Sequence, residues 1–277
     1  MELKNATVIV IDHGLFVEAA VRLARDFKRV LYYCPNDSDP FPKINNECIG
    51  VGLEGVEVVK SPWEHYDEID LWFFPDVGFG AFQDWLVEQG ETVWGSRSGD
   101  ELELHRPFAK DVLKIIGLPV GKHKIIKGVK NLRSYLKENE NVFVKVSKYR
   151  GTTESFHSPN YKNIEPHLDE MEFNLGPVKE LMEFDVEEEL SDKCEVGSDS
   201  YCIDGKLPQI HLAGFEKKDC GYCGSILERK ELPPPMMQVD DKFAQVMGSY
   251  GYRGFYSTEI RVGKDGVPFL IDPTVLS

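Results

Sequence analysis

The sequence predicts an α/β protein with a doubly wound parallel sheet in its first hundred residues and an α+β part after them. In the first hundred residues, short apolar runs alternate with amphipathic stretches, as in strands joined by crossover helices. A second unit begins near Gly99, where a helix is followed by strand, helix and strand over residues 120–147. Near the end of the chain, Asp265-Gly266 separates two alternating runs and predicts an antiparallel hairpin.

The first strand of the parallel sheet is the continuous apolar run Thr7–Ile11, which is typical of a strand buried on both faces. An amphipathic helix follows from about Phe16 to Phe27. The other elements predicted for this part are strands at Val30–Tyr33, Val56–Val59, Leu71–Phe74 and Thr92–Trp94 and a helix at Gly80–Gln89.

The carboxyl end of the first strand is a candidate ligand site, because doubly wound sheets bind ligands at the carboxyl ends of their strands. Asp12, His13 and Gly14 follow that strand directly, so we expect a substrate to bind near them. The alternative is that His13 is an ordinary turn residue. The sequence contains no GxGxxG motif, so a dinucleotide is not expected.

The composition restricts the class of protein. The chain has 277 residues, 42% of them hydrophobic, and a net charge of −15 from 47 acidic and 32 basic residues. This charge opposes extended contact with nucleic acid. A membrane span is not expected, since there is no long apolar run. The N-terminus lacks a signal-peptide pattern, so we expect a cytoplasmic protein with free thiols. The pair Cys220 and Cys223 is a weak zinc signal, and a hairpin loop is the preferred interpretation.

The second unit carries a lysine whose position on a strand is informative. A helix is predicted from Asp100 to Ile116, with Pro107 favouring a start at Arg106 instead. In the strand Val142–Val146 the valines share one face, which leaves Lys145 on the other. A lysine that faces inward from a strand needs an anionic partner, and phosphate is a common one. Taken alone, a lysine that extends along the surface into solvent explains the pattern as well.

The hairpin at Asp265-Gly266 predicts a metal site. With these two residues as a type I′ turn, Lys264 pairs with Val267 and Glu259 lies directly opposite Asp272. Their Cβ atoms would be about 5 Å apart, and the two carboxylates should repel each other unless a cation lies between them. Hard oxygen ligands of this kind suit Mg²⁺, which in proteins often also binds nucleotide phosphates. The alternative is a solvated hairpin face with two unrelated acids.

The order and spacing of these elements resemble the ATP-grasp superfamily, most closely its glycinamide ribonucleotide synthetase-like branch. The resemblance covers most of the chain from about residue 92 and, more loosely, the part before it. It implies a Rossmann-like pre-ATP-grasp domain over residues 1–98 and an ATP-grasp domain over residues 99–277. Within the second domain it implies a small lid subdomain at about 120–182.

The resemblance also assigns roles to individual residues. It implies that Arg106 and Lys145 bind the nucleotide phosphates and that Glu259 and Asp272 bind Mg²⁺, with Thr274 completing the triplet. The nucleotide contacts that it implies besides these two are Gly151, Thr152, Glu183, Asp185, Val186, Glu187, Glu188 and Glu195. Two cations are assigned to catalysis, Arg150 in the flap and Arg261 on the strand of Glu259. Arg261 would supply a charge that is missing at Leu276, where many relatives have an arginine.

The function implied by the resemblance is that of an ATP- and Mg²⁺-dependent ligase that joins a carboxylate to an amine or a related nucleophile through an acyl phosphate. The implied partners are therefore small carboxylate and amine substrates, with a homodimer left open. One alternative is a protein of this fold that binds nucleotide as a scaffold with reduced catalysis. Another is a kinase-like activity that stops at the phosphorylated product.

Overall fold

A parallel five-stranded sheet forms the first part of the chain in the computed structural model, which describes residues 2–35, 48–147, 155–190, 194–217 and 221–275. Its strands lie in the order β3-β2-β1-β4-β5. They are β1 (Thr7–Ile11), β2 (Arg29–Tyr33), β3 (Val56–Val58), β4 (Leu71–Phe73) and β5 (Val93–Trp94), with helices α1 (Val17–Leu23) and α2 (Gly80–Glu88). The doubly wound sheet predicted from the alternating pattern is confirmed.

Strand β1 is apolar throughout because the sheet is covered on both faces. Val8 and Val10 pack into one core cluster, and Ile9 and Ile11 pack into another on the opposite side. Helix α1 is shorter than predicted. Its last turns continue as separate hydrogen-bonded turns, in which the amide of Phe27 donates to the carbonyl of Leu23 at 3.0 Å.

The helical connection to the second part is broken in two, as Pro107 suggested. Helix α3 spans Glu101–Leu104, and helix α4 spans Arg106–Ile115, with Pro107 in its first turn. A proline has no N–H to donate, and the first turn is where a helix needs none. The break places Arg106 at the first position of α4, and its side chain is buried at 4% exposure.

A four-stranded antiparallel sheet follows, in the order β6-β9-β7-β8. Its elements are β6 (His123–Lys127), helix α5 (Val129–Leu136), β7 (Val142–Val146), β8 (Ser155–Ser158), helix α6 (Tyr161–Leu175) and β9 (Glu183–Glu188). Helices α5 and α6 cover one face and enclose an apolar core that includes Val144, Phe184 and Val186. Strand alternation therefore turns Lys145, Asp185 and Glu187 to the uncovered face.

The third sheet is antiparallel and contains the predicted hairpin. Its order is β12-β11-β10-β13-β14, where the strands are β10 (Cys194–Ile203), β11 (Ile210–Lys217), β12 (Gly221–Glu228), β13 (Arg253–Val262) and β14 (Pro268–Thr274). Helix α7 (Pro234–Ser249) packs on one face, with Val239, Phe243 and Met247 fully buried against Ile260. The opposite face is the one that carries Glu259 and Arg261.

The turn of the hairpin differs from the prediction. The amide of Gly266 donates to the carbonyl of Gly263 at 3.0 Å, and φ is positive at Gly266 but not at Asp265. A type I′ turn needs positive φ at both central residues, so the two-residue loop is wrong. Near the turn the pairs are Arg261–Phe269 and Val262–Pro268.

A β-bulge between Glu259 and Ile260 then restores the predicted register. Ile260 lies opposite Leu270 before the bulge. Beyond the bulge, Glu259 lies opposite Asp272, which is the predicted pair. The extra residue, Ile271, lies between these two pairs on β14. Bulges of this kind leave one residue unpaired and redirect the side chains beside it. The longer turn shifts the register by one residue, and the bulge shifts it back by one. The carboxylates are therefore opposite each other as predicted, although the predicted loop is wrong.

Other sequence predictions concern the chain's organisation. In the described part of the chain, no helix is both long enough and apolar enough to cross a membrane. The division into residues 1–98 and 99–277 stays a prediction. The sheet that carries helices α5 and α6 includes β9, which lies just beyond the predicted limit of 182. Cys223 lies within β12 and pairs with Phe215, so it is a strand residue. Cys220 lies outside the described residues, so the interpretation as a hairpin loop stays a prediction there.

Candidate functional site

A cavity of about 290 Å³ lies between the uncovered face of the four-stranded sheet and the face of the third sheet that carries Glu259. Residues from both sheets line it. They are Phe143, Lys145, Ser155, Glu187, Glu188 and Leu190 on one side and Glu195, Glu259, Arg261, Ile271 and Asp272 on the other. Seven of the residues predicted from the sequence are therefore brought together here, although the first and the last of them, Lys145 and Asp272, are more than a hundred residues apart in the chain.

Two buried cations converge on Asp272. Arg106 forms an ion pair with Oδ1 of Asp272, and Nζ of Lys145 lies 3.9 Å from Oδ2. Lys145 also donates to the carbonyl oxygen of Ile271, the bulge residue. Both cations are at least nine-tenths buried. Lys145 is therefore an inward-facing lysine with anionic partners, and the interpretation as a solvated surface lysine is wrong.

A third buried cation, Lys110, was missed by the sequence analysis. Its Nζ lies 2.8 Å from Oε1 of Glu187, and Nζ of Lys145 lies 3.6 Å from the same oxygen. The signal in the sequence was the spacing of Arg106 and Lys110, because residues four apart lie on the same face of a helix. One buried network of alternating charges therefore runs from Arg106 through Asp272, Lys145 and Glu187 to Lys110.

These charges shift the pKa values of the carboxylates they surround. Burial alone would raise the pKa of Asp272, but Arg106 and Lys145 outweigh burial and lower it to about 2. Burial also acts against the ionised form of Glu187, and Lys145 and Lys110 reverse that effect and lower its pKa. The pKa of Lys145 is raised in turn, since Glu187 and Asp272 overcome the effect of burial. All three groups are therefore charged at neutral pH.

The carboxylate of Asp185 is in a different environment. Its side chain is fully buried, and its Oδ1 lies 3.0 Å from Nδ1 of His123. Burial, followed by the negative charge of Glu187, raises the pKa of Asp185. Asp185 lies opposite Lys145 in the register of β7 and β9. Its side chain thus belongs to the wall behind the cavity.

Two other predicted nucleotide contacts lie away from the cavity. Glu183 is at the start of β9, where its Oε2 lies 3.9 Å from Nε2 of His105 and its side chain is 40% exposed. The side chain of Val186 points into the apolar core under helices α5 and α6. Its backbone lies between strands β6 and β7, opposite Lys124 and Val144, so the contact that the resemblance implied stays a prediction.

Arg261 pairs with Glu195 across strands β10 and β13. These residues are directly opposite in the register, and Nη2 of Arg261 forms an ion pair with Oε2 of Glu195. Both line the cavity. Arg261 was expected to supply a catalytic charge, and the structure places it one row away from Glu259 on the same face of the sheet.

The pair Glu259 and Asp272 tests the predicted metal site. The donor set consists of two carboxylates on one face, and no group of three or more His, Cys, Asp or Glu side chains in the described ranges is arranged to hold a metal. Mg²⁺ is usually bound by one or two carboxylates together with substrate phosphates, so the pair fits that mode. The expectation that Asp272 is electrostatically strained without a metal is wrong, because Arg106 already compensates its charge.

Thr274, the third predicted metal ligand, pairs with Ser257 one row further along the hairpin. It is not among the residues that line the cavity. The flap residues Arg150, Gly151 and Thr152 lie outside the described residues, as does Leu276.

The predicted substrate contacts after strand β1 have structural roles in this part of the fold. Asp12 is fully buried, and its carboxylate accepts from the amide of Phe16 at 2.5 Å and from the hydroxyl of Tyr32. His13 stacks on Phe79 at 4.4 Å between ring centroids. Gly14 has a φ of +95°, which favours glycine. The geometry supports the alternative interpretation of this segment as a turn, and binding of a second substrate here stays a prediction.

Comparison with known proteins shows the likeness in structure rather than in sequence. No protein-family model matches the chain, and no curated protein matches its sequence. The chain is similar to the crystal structure of an N5-carboxyaminoimidazole ribonucleotide synthetase in complex with ADP, with a TM-score of 0.69 and 12% identity, over 100% of this chain and 71% of that one.

Two further solved structures show the same likeness. A phosphoribosylamine–glycine ligase from Thermotoga maritima matches with a TM-score of 0.64 and 15% identity, over 98% of this chain and 68% of that one. An L-amino acid ligase from Bacillus licheniformis matches with a TM-score of 0.64 and 14% identity, over 98% and 67%. At such identities the likeness establishes the fold alone, and the fold that the resemblance implied is confirmed.

Proposed function

We propose that this chain is an ATP- and Mg²⁺-dependent ligase that joins a small carboxylate to an amine through an acyl phosphate. The observation that carries the proposal is the set of three buried cations, Arg106, Lys110 and Lys145, that meets a pair of opposed carboxylates at the cavity. Buried lysine and arginine side chains need anions, and a polyphosphate with a divalent cation would satisfy both halves of this arrangement. Solved ligases of the same fold support it.

The reaction divides into two steps. An oxygen of the substrate carboxylate attacks the γ-phosphorus of ATP, the bond to the bridging oxygen breaks, and ADP leaves with its electrons. The amine nitrogen then forms a bond to the acyl carbon, inorganic phosphate leaves, and the nitrogen loses a proton. Phosphoryl transfer of this kind is accelerated by positioning and charge neutralisation and needs no nucleophile from the protein.

The residues of the cavity have distinct tasks in this proposal. Lys145 and Arg106 hold the phosphates, and Lys110 fixes Glu187 so that Lys145 keeps its position. Glu259 and Asp272 would hold Mg²⁺, which neutralises the charge on the phosphate oxygens when it is bound. Phe143 and Leu190 give the cavity an apolar wall that suits a purine base, with Glu188 beside it.

The second candidate function is nucleotide binding without catalysis. The observation in its favour is that Arg106 and Asp272 already form a closed ion pair, which a nucleotide and a metal would have to open. A protein of this kind would bind Mg-ATP and release no ADP with any substrate. A kinase-like activity would release ADP without an amine.

An ADP-release assay separates these functions. Purified protein is incubated with Mg-ATP, a pool of small carboxylic acids and amino acids, and either added amines or none. The ligase requires both a carboxylate and an amine for sustained ADP release. Release that is independent of amines indicates the kinase-like activity, and Mg-ATP binding without release with any pool indicates the scaffold.

Nucleotide binding itself is tested through Lys145. Mg-ATP at one hundred times its dissociation constant should stabilise the wild type by about 2.7 kcal/mol. We expect Lys145→Met to lose most of this stabilisation, because the one cation that lies within 4 Å of both Asp272 and Glu187 among the described residues is gone. The matched control is Lys162→Met, on the exposed surface of helix α6. Equal stabilisation of all three proteins in a thermal melt would contradict the assignment.

A further inference from the structure

An open strip of the third sheet lies next to the carboxylate pair and has no role in the site described so far. Glu259 is opposite Gly197 of strand β10. Two residues after Gly197, Asp199 is opposite both Ser257 and Leu212. Two residues after Asp199, Tyr201 is opposite Phe255. Residues two apart on a strand face the same side, so this strip shares the face of Glu259.

The strip is apolar and exposed to solvent. Leu212 is 40% exposed, Tyr201 is 41% exposed, and Phe255 is 51% exposed, whereas Ser198, Cys202 and Tyr256 on the opposite face are buried under helix α7. Three large apolar side chains in neighbouring rows form one contiguous patch. Ile226, opposite Leu212 on strand β12, is 74% exposed and extends the patch. A contiguous apolar patch marks a binding site more often than single exposed residues do.

The neighbouring residues give the strip limits. At its far end, the ring of Trp94 from β5 lies 5.7 Å from that of Phe255, so the parallel sheet closes this end. Along its side, the ring of Tyr222 lies over a glycine floor, since a Cβ atom on Gly214 would be 2.7 Å from Cζ of Tyr222 and one on Gly224 would be 2.5 Å from Cε1. At the near end is the carboxylate pair.

The spacing of the rows suits a small substrate. A step of two residues along a strand is about 7 Å, so Asp199 lies about one step from the row of Glu259 and Tyr201 about two. A group held by Asp199 is thus within reach of a phosphate bound at the carboxylate pair. An apolar group attached to it would lie over Leu212, Tyr201 and Phe255.

The charge of the strip identifies the group that Asp199 would hold. Asp199 is half-buried between Leu212 and Ser257, and a partly buried carboxylate favours a cation that can donate hydrogen bonds to it. A primary ammonium meets this requirement, and the uncharged amine is also the nucleophile of the second step of the ligase reaction.

We propose that this strip is the acceptor subsite and that it takes a primary amine with a large apolar or aromatic group. The inference rests on the proposed ligase function, which leaves the amine unspecified. The ammonium would bind Asp199, and the apolar group would cover Leu212, Tyr201 and Phe255. The ammonium first gives up one proton to form the uncharged amine. The amine nitrogen then attacks the acyl carbon, and inorganic phosphate leaves. The nitrogen loses a second proton after the attack, which leaves the neutral amide.

Binding is measured with three small probes in the presence of Mg²⁺ and a non-hydrolysable ATP analogue. 2-Phenylethylamine carries both an ammonium and an aromatic ring, ethylamine lacks the ring, and 2-phenylethanol lacks the ammonium. We expect 2-phenylethylamine to bind at least about tenfold more tightly than either of the others, by ligand-observed NMR titration. Equal affinities of 2-phenylethylamine and ethylamine would overturn the proposal.

Substitutions locate the binding. Asp199→Asn and Tyr201→Ser should each weaken 2-phenylethylamine binding by about tenfold or more and leave Mg-ATP binding unchanged. The matched controls, the exposed residues Asp111→Asn and Phe173→Ser, should change neither. Binding that survives both strip variants would place the amine elsewhere. If the wild type is a dimer and Leu212→Asn dissociates it, the strip is an interface with a second copy of the chain. That result would also overturn the proposal.

The assay results distinguish the subsite from the ligase. ADP release that requires an amine but prefers ethylamine would leave the ligase standing and reject the subsite. Specific binding of 2-phenylethylamine at Asp199 without ADP release in any carboxylate pool would support the subsite and reject the ligase. Amine-dependent ADP release that is largest with 2-phenylethylamine and lost in Asp199→Asn would support both.

Discussion

Two carboxylates on opposite faces of the third sheet have surroundings that shift their pKa values in opposite directions. Asp272 on the cavity face is paired with Arg106 and lies close to Lys145, which lower its pKa to about 2. Asp240 of helix α7, on the opposite face, has a pKa raised to about 6 by burial. The first is kept ionised by cations, and the second is held by neutral hydrogen-bond donors.

The surroundings of Asp240 show why burial dominates there. Its Oδ1 accepts from the hydroxyl of Thr258 and its Oδ2 from the hydroxyl of Ser198, both at 3.2 Å. The Ser198 hydroxyl also lies 3.2 Å from Nδ1 of His211, whose own pKa is lowered, chiefly by burial. Hydroxyl groups stabilise a carboxylate less than a buried cation does. The network therefore ties helix α7 to the sheet through hydroxyl groups, without an ion pair of the kind that Asp272 makes with Arg106.

The side chains of strand β13 contact Asp240 on one face of the sheet and line the cavity on the other. Thr258 and Glu259 are neighbours on β13, and strand alternation sends the first to Asp240 and the second to the cavity. The charges on the cavity face pair with one another across a cavity that can take a ligand. On the opposite face the polar groups satisfy one another and serve stability.

The largest expected effect follows from replacing the two aspartates by their amides. Asp272→Asn should lower the free energy of unfolding by about 2–3 kcal/mol, because Arg106 and Lys145 lose a charged partner in a buried setting. It should also abolish stabilisation by Mg-ATP. Asp240→Asn should leave Mg-ATP binding intact. Chemical denaturation with and without nucleotide checks both, and loss of nucleotide binding in Asp240→Asn would break the comparison.

The pH dependence of stability should have opposite signs for the two carboxylates. The pKa of Asp272 is lowered on folding, so its contribution is present above pH 4 and lost as the pH falls toward 2. The pKa of Asp240 is raised, so its contribution is present below pH 4 and lost as the pH rises through about 6. The contribution is expected to be roughly 2 kcal/mol for Asp272 and roughly 3 kcal/mol for Asp240.

Each contribution appears as a difference in unfolding free energy between a variant and the wild type. Relative to the wild type, Asp240→Asn should gain stability between pH 4 and pH 7.5, and Asp272→Asn should lose stability between pH 2.5 and pH 4.5. Parallel curves for the two variants would show that the surroundings of the two carboxylates do not differ as described.

A smaller effect is expected for the cation that the sequence did not reveal. Lys110→Met removes the 2.8 Å ion pair with Glu187 and leaves Lys145 as its remaining cation in the cavity. Mg-ATP affinity should fall by roughly tenfold, since Lys145 is drawn toward Glu187. Lys114→Met, one turn along the same helix on the exposed surface, should have no effect in the same calorimetric titration. Equal affinities of the two variants would remove Lys110 from the site.

Part of this site was readable in the sequence because it depends on local periodicity. The face of Lys145 followed from the alternation of Val142–Val146, and the opposition of Glu259 and Asp272 followed from counting outward from the turn. The second result was correct through two deviations that cancel, a longer loop and a one-residue bulge. Bulges carry little signal in a single sequence, because they depend on the partner strand.

The rest of the site depends on contacts between distant segments. Lys110 is recognisable only once Arg106 is known to face the cavity, and the Asp240 network joins Ser198, His211 and Thr258 across four separate elements. Asp12 shows a different case: its carboxylate at the strand end accepts from the amide of Phe16 at the start of helix α1, and contact with a substrate there stays a prediction. Local hydrogen bonds of this kind compete with ligand binding for the same side chain.

The neighbours Thr258 and Glu259 offer the most direct test that one face of the sheet binds the nucleotide and the other stabilises the fold. Thr258→Val should lower the free energy of unfolding by about 1–2 kcal/mol, because the carboxylate of Asp240 loses a donor. Glu259→Gln should change it by less than about 1 kcal/mol.

The measurement is calorimetric titration of both variants with ATP, in Mg²⁺ and in EDTA. We predict that Thr258→Val binds Mg-ATP as the wild type does, and that Glu259→Gln loses about tenfold or more in affinity only when Mg²⁺ is present. Wild-type affinity of Glu259→Gln for Mg-ATP would contradict the account and remove the metal site from this face of the sheet.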